Sequence, residues 1–160
     1  MNIRKYSPKD QEGIEKIQLE FMNEFFPEFL NDPRRKEWEY DLKNIKTEYF
    51  DTGGHFWVIE TENKLIGFGG IQIKAPNKAE IERVRLLSNF RGKGLGHRLL
   101  ETIEAYCIQK NIKKILVDTD TRLEIAKKMY LNNGYQIYKE TEEIIDGQSY
   151  YNLFFIKEFI

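Results

Sequence analysis

At 160 residues the chain is of one-domain size, residues 1–160, and long enough to enclose a sizeable core. Its 25 basic against 26 acidic residues leave a net charge of −1, with neither the basic excess that binds nucleic acid nor the acidic run of a disordered tail. Its apolar runs fall far short of the roughly 20 residues a membrane span needs. Met1–Lys5 leads into no signal-type stretch, and the lone Cys107 can form no internal disulfide, so a soluble, cytoplasmic protein is expected.

In chain order, Ile3-Arg4-Lys5-Tyr6 reads as a short strand. Ser7-Pro8 then opens a helix, with serine at the N-cap and proline at the first helical position. Ile14, Ile17, Leu19 and Phe21 carry this helix toward Phe26. Pro27 and Pro33 break the chain. Trp38, Leu42, Ile45 and Tyr49, at spacings of three and four, predict a second helix from Arg34 to Phe50 that ends at Gly53-Gly54. Two strands follow, His55 to Glu60 and Lys64 to Lys74, joined by the polar turn Thr61-Glu62-Asn63. Gly67, Gly69 and Gly70 inside the second strand predict a bulge or the close approach of another backbone.

A third strand, Glu80 to Leu87, passes through the turn Arg91-Gly92-Lys93-Gly94-Leu95-Gly96 directly into a helix with Leu95, Leu99, Ile103 and Cys107 on one face. The first N–H groups of a helix lack partners and carry about half a positive charge, so a turn without side-chain bulk is an anion cradle. Arg91 and Lys93 add cationic charge, which points to a pyrophosphate or 3′-phosphate on a nucleotide-like ligand. A Walker A loop would need Ser or Thr where Gly94 stands, and a dinucleotide fingerprint would need glycine at His97. A parallel strand, Lys114 to Asp118, completes a βαβ crossover. The helix Leu123 to Asn132 stops at Asn133-Gly134, and the strands Tyr135 to Ile144 and Ser149 to Phe159 turn at Asp146-Gly147.

Arg91 to Gly96 has the form R-x-x-G-x-G and, with the strand before it, resembles motif A of the GNAT N-acetyltransferase superfamily. Ile115-Leu116-Val117-Asp118-Thr119 resembles that family's next strand, and Ala126 to Tyr135 its A-x-x-x-Y-x-x-x-G-[FY] helix ending. The resemblance spans positions 56 to 138 and implies an α+β fold, a mixed and mostly antiparallel central sheet flanked by helices. It also implies acetyl-CoA as acyl donor. The pyrophosphate would lie on the amides of Gly92, Lys93, Gly94, Leu95 and Gly96 beside Arg91, and the pantetheine arm along the backbone of Arg85, Leu86 and Leu87. The Leu86 N–H would polarise the acetyl carbonyl, a role worth roughly 3 kcal/mol where such donors have been removed.

An alkyl ammonium has a pKa near ~10, so a base helps the acceptor amine attack. Glu82 is the candidate, four residues before Leu86 and so on the same face of a regular strand. Glu60 is the alternative base. Tyr130 holds the family's tyrosine position and is the candidate general acid; its other reading is a core aromatic. Cys107 reads as buried packing and not as a nucleophile. His55 and His97 belong to no ligand-spaced cluster, so no metal is expected. Phe25, Phe26, Phe29 and Trp38 read equally as acceptor-pocket lining and as core. Where many members of the family have an asparagine after the fifth strand, this chain has Asp118-Thr119-Asp120-Thr121-Arg122. The expectation is a direct-transfer N-acetyltransferase acting on the primary amine of a small molecule or peptide, with a catalytically silent acyl-CoA-binding or sensing domain as the alternative. Its partners would be acetyl-CoA and the amine, not nucleic acid or membrane, and a homodimer is left open.

Overall fold

A computed structural model describes residues 1–159. The strands are β1 (Asn2–Lys5), β2 (His55–Thr61), β3 (Lys64–Ala75), β4 (Lys78–Leu86), β5 (Lys114–Asp120), β6 (Gln136–Ile145) and β7 (Gln148–Glu158). They form one sheet in the order β1-β2-β3-β4-β5-β7-β6, antiparallel except for the β4–β5 pair. The short hairpins follow from local chemistry. Glu62 and Asn63, and again Asp146 and Gly147, have positive φ at both turn positions, the primed geometry whose twist matches that of the flanking strands.

The sheet is layered between two groups of helices. On one face lie α5 (Leu95–Gln109) and α6 (Glu124–Asn132), over a core that includes Leu99, Ile103, Ile115 and Phe155. On the other lies α1 (Gln11–Phe25), with Ile14 and Ile17 packed on Phe56, Val58 and Phe68. Interior strand β2 is therefore buried on both sides and reads as the continuous run Phe56-Trp57-Val58-Ile59. Edge strand β6 is exposed along most of its length and carries Lys139-Glu140-Thr141-Glu142-Glu143, charge that discourages pairing with another edge.

The expected helix from Arg34 to Phe50 is instead three single turns, α2 (Arg35–Trp38), α3 (Tyr40–Lys43) and α4 (Ile45–Glu48). Two inward-facing polar groups, one buried and one half-buried, explain the break. Glu39 accepts from Gln18, and Asp41 accepts from Arg83 and Tyr49. In a continuous helix, positions two apart point to nearly opposite sides, so Glu39 and Asp41 could not both face inward. The chain kinks at Glu39 and Asn44, where φ is −105° and −135°.

Two irregularities of β4 shape the site. Its pairing with β5 covers only Lys78–Glu80 against Lys114–Leu116, beyond which the two strands diverge and leave a gap. The register with β3 slips between Phe68 and Gly70, where three steps of β4 from Glu82 to Arg85 oppose two steps of β3. This is a bulge, centred on Arg83 at φ 61°. Gly70 opposite it has no side chain because a Cβ there would come within 2.6 Å of the Tyr49 ring.

Candidate functional site

The bulge changes which side chains share a face. A regular strand would put Glu82 and Leu86 together, as the sequence spacing implied. The extra residue flips the parity: Glu82 lies opposite Gly70 and Arg85 opposite Phe68, so these two face α1, while Val84 and Leu86 pack toward α5. The expectation of a shared Glu82–Leu86 face is therefore corrected. What the bulge joins is Glu82 and Arg85.

Two adjoining clefts open where β4 and β5 part. The larger, about 340 Å³, runs from Arg91, Gly92 and Gly96 past Val84, Arg85 and Leu86 to Leu123, Ala126 and Met129. The smaller, about 200 Å³, is lined by Glu82, Arg83, Arg85, Asp118, Tyr130 and Phe21 among others. Val84 and Arg85 belong to both.

The glycine turn ends the larger cleft. Gly94 is the N-cap of α5 at φ 81°, a conformation that glycine adopts without strain. A Cβ at Gly92 or Gly94 would meet nothing within 4 Å, so the amides leading into the helix are open. The first intrahelical bond is Arg98 N–H to Gly94 O, which leaves the N–H groups of Leu95, Gly96 and His97 without helical acceptors. Gly96 has a second duty, since a Cβ there would sit 2.9 Å from Met129 Sδ and push α5 off α6. Lys93 is exposed and has no ion pair among the described residues, whereas Arg91 is engaged. Its Nη1 donates to Glu24 at 2.7 Å and its Nε to the Leu86 carbonyl at 2.9 Å, so it ties the turn to α1 and β4.

Of the run Arg85 to Leu87, one amide faces the gap. The Leu87 N–H donates to Ile66 O on β3, and its carbonyl accepts from Phe90. That makes Gly67–Leu86 a non-hydrogen-bonded pair, whose Leu86 N–H is turned away from β3 toward the diverged side. Arg85, one residue earlier, is paired with Phe68. The expectation that all three backbones are free is thus narrowed to Leu86.

Burial, then the neighbouring carboxylates of Glu80 and Asp118, push the Glu82 pKa up to about 8. Glu82 makes no ion pair among the described residues. Glu60, the alternative base, lies on β2 in an ion pair with Arg4 at 3.0 Å and lines neither cleft. Tyr130 is 3% exposed, packed against Tyr135 and Phe155, and its hydroxyl has no hydrogen-bond partner among the described residues. Burial holds the phenol above its ordinary pKa, so it keeps its proton at neutral pH. Cys107 is fully buried under α5, and burial raises its thiol to about 12. Phe25, Phe26, Phe29 and Trp38 form an aromatic wall with Phe21 and Tyr150. Asp120, the last residue of β5, accepts from the backbone of Arg122, whose guanidinium in turn donates to Phe25 O.

Composition gave no sign of one feature. The Arg85 Nε donates to Gln18 Oε1 at 3.0 Å, and Gln18 Nε2 donates to Glu39 at 2.9 Å. Arg35 donates to the same carboxylate at 3.0 Å. The Gln18 amide can be oriented only this way, because guanidinium only donates and carboxylate only accepts. Gln18 is 2% exposed and polar on an otherwise apolar helix face, which is the only signal the sequence offered.

Residues 15–135 match the model of the acetyltransferase (GNAT) family. N-acetyltransferase 8F1 of Rattus norvegicus is 26% identical over 60% of this chain and 46% of its own length. The chain spans about half the length of several curated relatives it matches. Among solved structures, a GNAT-family acetyltransferase from Staphylococcus aureus Mu50 superposes with a TM-score of 0.79 at 23% identity, covering 98% of both chains. A PaiA N-acetyltransferase from Thermoplasma acidophilum, solved in complex with coenzyme A, gives 0.77 at 22% identity over 99% of this chain and 98% of the other.

Proposed function

The chain belongs to the acetyltransferase (GNAT) family, and from that premise we propose that it transfers the acetyl group of acetyl-CoA directly to the primary amine of a small molecule or peptide. The observation that carries this reading is the gap between β4 and β5, where the cleft that ends at the open glycine cradle, lined by Leu86, adjoins the cleft lined by Glu82 and Tyr130.

The residues fit the donor. Amides at an uncluttered helix start suit a pyrophosphate, Lys93 is free to pair with it, and the apolar side of the larger cleft suits an alkyl amide arm. Bound there, acetyl-CoA would supply an activated thioester. The Leu86 N–H donates to the carbonyl oxygen as negative charge grows on it, and it needs no reorganisation because the β4 register already aims it into the gap. Glu82, raised to about 8, takes a proton from the acceptor's ammonium, and the neutral amine so formed attacks the carbonyl carbon. Tyr130, protonated and unpartnered, donates to the departing sulfur. Cys107, buried with its thiol raised, takes no part.

Release of free thiol from acetyl-CoA over a panel of amines, with mass spectrometry of the acetylated product, tests the reading. Thiol release that depends on an amine and yields an N-acetyl product is expected. Donor binding without transfer to any amine would establish the silent acyl-CoA-binding domain instead.

A further inference from the structure

Arg85 is a cation without a counter-ion. Every other arginine on this face of the sheet has a carboxylate partner: Arg83 has Asp41, Arg35 has Glu39 and Arg122 has Glu28. Arg85 has only the neutral Gln18 and the Val84 carbonyl, together with the face of the Phe21 ring 3.7 Å from its central carbon. Those two hydrogen bonds use two of its five N–H donors and leave Nη2 unengaged among the described residues. A desolvated guanidinium is normally paired, and its fork geometry matches a carboxylate with two parallel hydrogen bonds.

Its surroundings hold it for that task. The Phe21 ring fixes the plane of the guanidinium, and the chain Gln18–Glu39–Arg35 fixes the direction of Nε. The bulge at Arg83 brings Arg85 onto the face of Glu82, and both line the smaller cleft with Tyr130. Three carboxyls, Glu80, Glu82 and Asp118, stand nearby. Burial raises the Glu82 carboxyl to about 8 and moves those of Glu80 and Asp118 up from their ordinary values. Burial, then the nearby Arg83, lower the Arg85 pKa to about 9, and the guanidinium still carries its charge at neutral pH.

We propose that Arg85 binds a carboxylate carried by the acceptor, so that the amine acetylated here belongs to an amino carboxylate and is presented to Glu82 by that anchor. The proposal rests on the acetyl-transfer reading above and narrows its acceptor. Arg85 is then a substrate-binding residue. Gln18 and Glu39 are positioning residues that act through it.

The test uses the whole protein, acetyl-CoA and matched probes: free L-amino acids, the same amino acids as carboxamides, and the polyamines putrescine and spermidine. Free amino acids should support thiol release with kcat/KM at least about 100-fold above their carboxamides, because the neutral amide leaves the guanidinium unpaired. Arg85→Gln should raise KM for the amino acid by about 100-fold, at least about 10-fold more than it weakens acetyl-CoA binding. Glu39→Gln should raise the same KM by about 10-fold without changing the ionisation seen in the pH profile. Equal use of acid and carboxamide, or a preference for polyamines, would overturn the proposal and leave acetyl transfer standing. Absence of thiol release with every amine would overturn the transfer reading itself. The wild-type comparison of acid with carboxamide requires no variant to fold.

Discussion

The two walls of the β4–β5 gap are built from different materials. The α5 end offers backbone: amides at an exposed turn, kept open by glycines that nothing crowds. The α1 side offers side chains: Glu82, Arg83 and Arg85 on a bulged strand, held by Asp41, Gln18 and Glu39. A backbone site carries its partial charges without desolvating an ion and is damaged mainly by added bulk or charge. A side-chain site of partly buried ions depends on each partner, because removing one leaves the other unpaired in a poor solvent. The same gap should therefore fail in two distinguishable ways.

The largest effect is expected at the backbone wall. Gly94→Asp places a carboxylate where the donor's pyrophosphate would lie, and should weaken acetyl-CoA binding by roughly 10³-fold, or ~4 kcal/mol. Because Gly94 sits at φ 81°, part of any loss is backbone strain. Gly94→Ala carries that strain without the charge, and calorimetric titration of both variants separates the two causes. Equal loss in both would replace electrostatic exclusion by strain as the explanation.

Next comes the side-chain wall. Glu82→Gln should lower kcat/KM by about 10²-fold and remove the rise of kcat/KM through pH about 8 that the wild type should show. The same group makes a stability prediction. The folded pKa lies above the ordinary glutamate value, so between about pH 4.5 and 8 the folded state holds more protons than the unfolded state. Stability should then be fullest at the acid end of that window and decline as pH rises through it. Denaturant titrations at pH 5, 7 and 9 should show this slope in the wild type and a flatter one in Glu82→Gln. A parallel slope in both proteins would mean that Glu82 titrates normally.

Legibility follows the same division. The glycine turn was readable because an anion cradle is local: spacing, glycines and helix start all lie within Arg91 to Gly96. The hairpins and the one parallel pair were likewise implied by short turns and one helical crossover, whereas the place of β7 between β5 and β6 was not. The bulge was not readable. Three glycines in β3 pointed to an irregularity, but the residue it displaced, Arg83, lies on β4 and is held by Asp41, 42 residues away. For the same reason the periodic pattern from Arg34 to Phe50 predicts one helix, whereas inward-facing partners for Glu39 and Asp41 divide it into three turns. The sequence offers Arg85 for its backbone; the structure holds its side chain against Gln18 and over the Phe21 ring.

Tyr130 stands between the walls and should show a smaller effect. Its hydroxyl has no protein partner among the described residues, so Tyr130→Phe should leave the thermal midpoint nearly unchanged. If the O–H donates to the departing sulfur, kcat should fall about 10-fold, the worth of one hydrogen bond to a charged atom. Acetyl-CoA affinity should stay within about twofold. A lowered midpoint with unchanged kcat would return Tyr130 to the core.

The smallest effect is expected from a residue on neither wall. Cys107 lies on the α5 face turned to the sheet, fully buried, with its thiol raised to about 12 by burial and by Glu104. At that pKa almost none is thiolate at neutral pH, and neither cleft is lined by it. Cys107→Ala should cost on the order of 1 kcal/mol through the cavity left by the sulfur, while kcat and KM remain within about twofold. Denaturant titration and steady-state rates measure the two separately. In a direct-transfer enzyme the acetyl group passes from sulfur to amine without resting on the protein, so rapid quenching should trap no acetyl-cysteine. An acetylated Cys107 would move the chemistry out of the gap and dissolve the contrast between its walls.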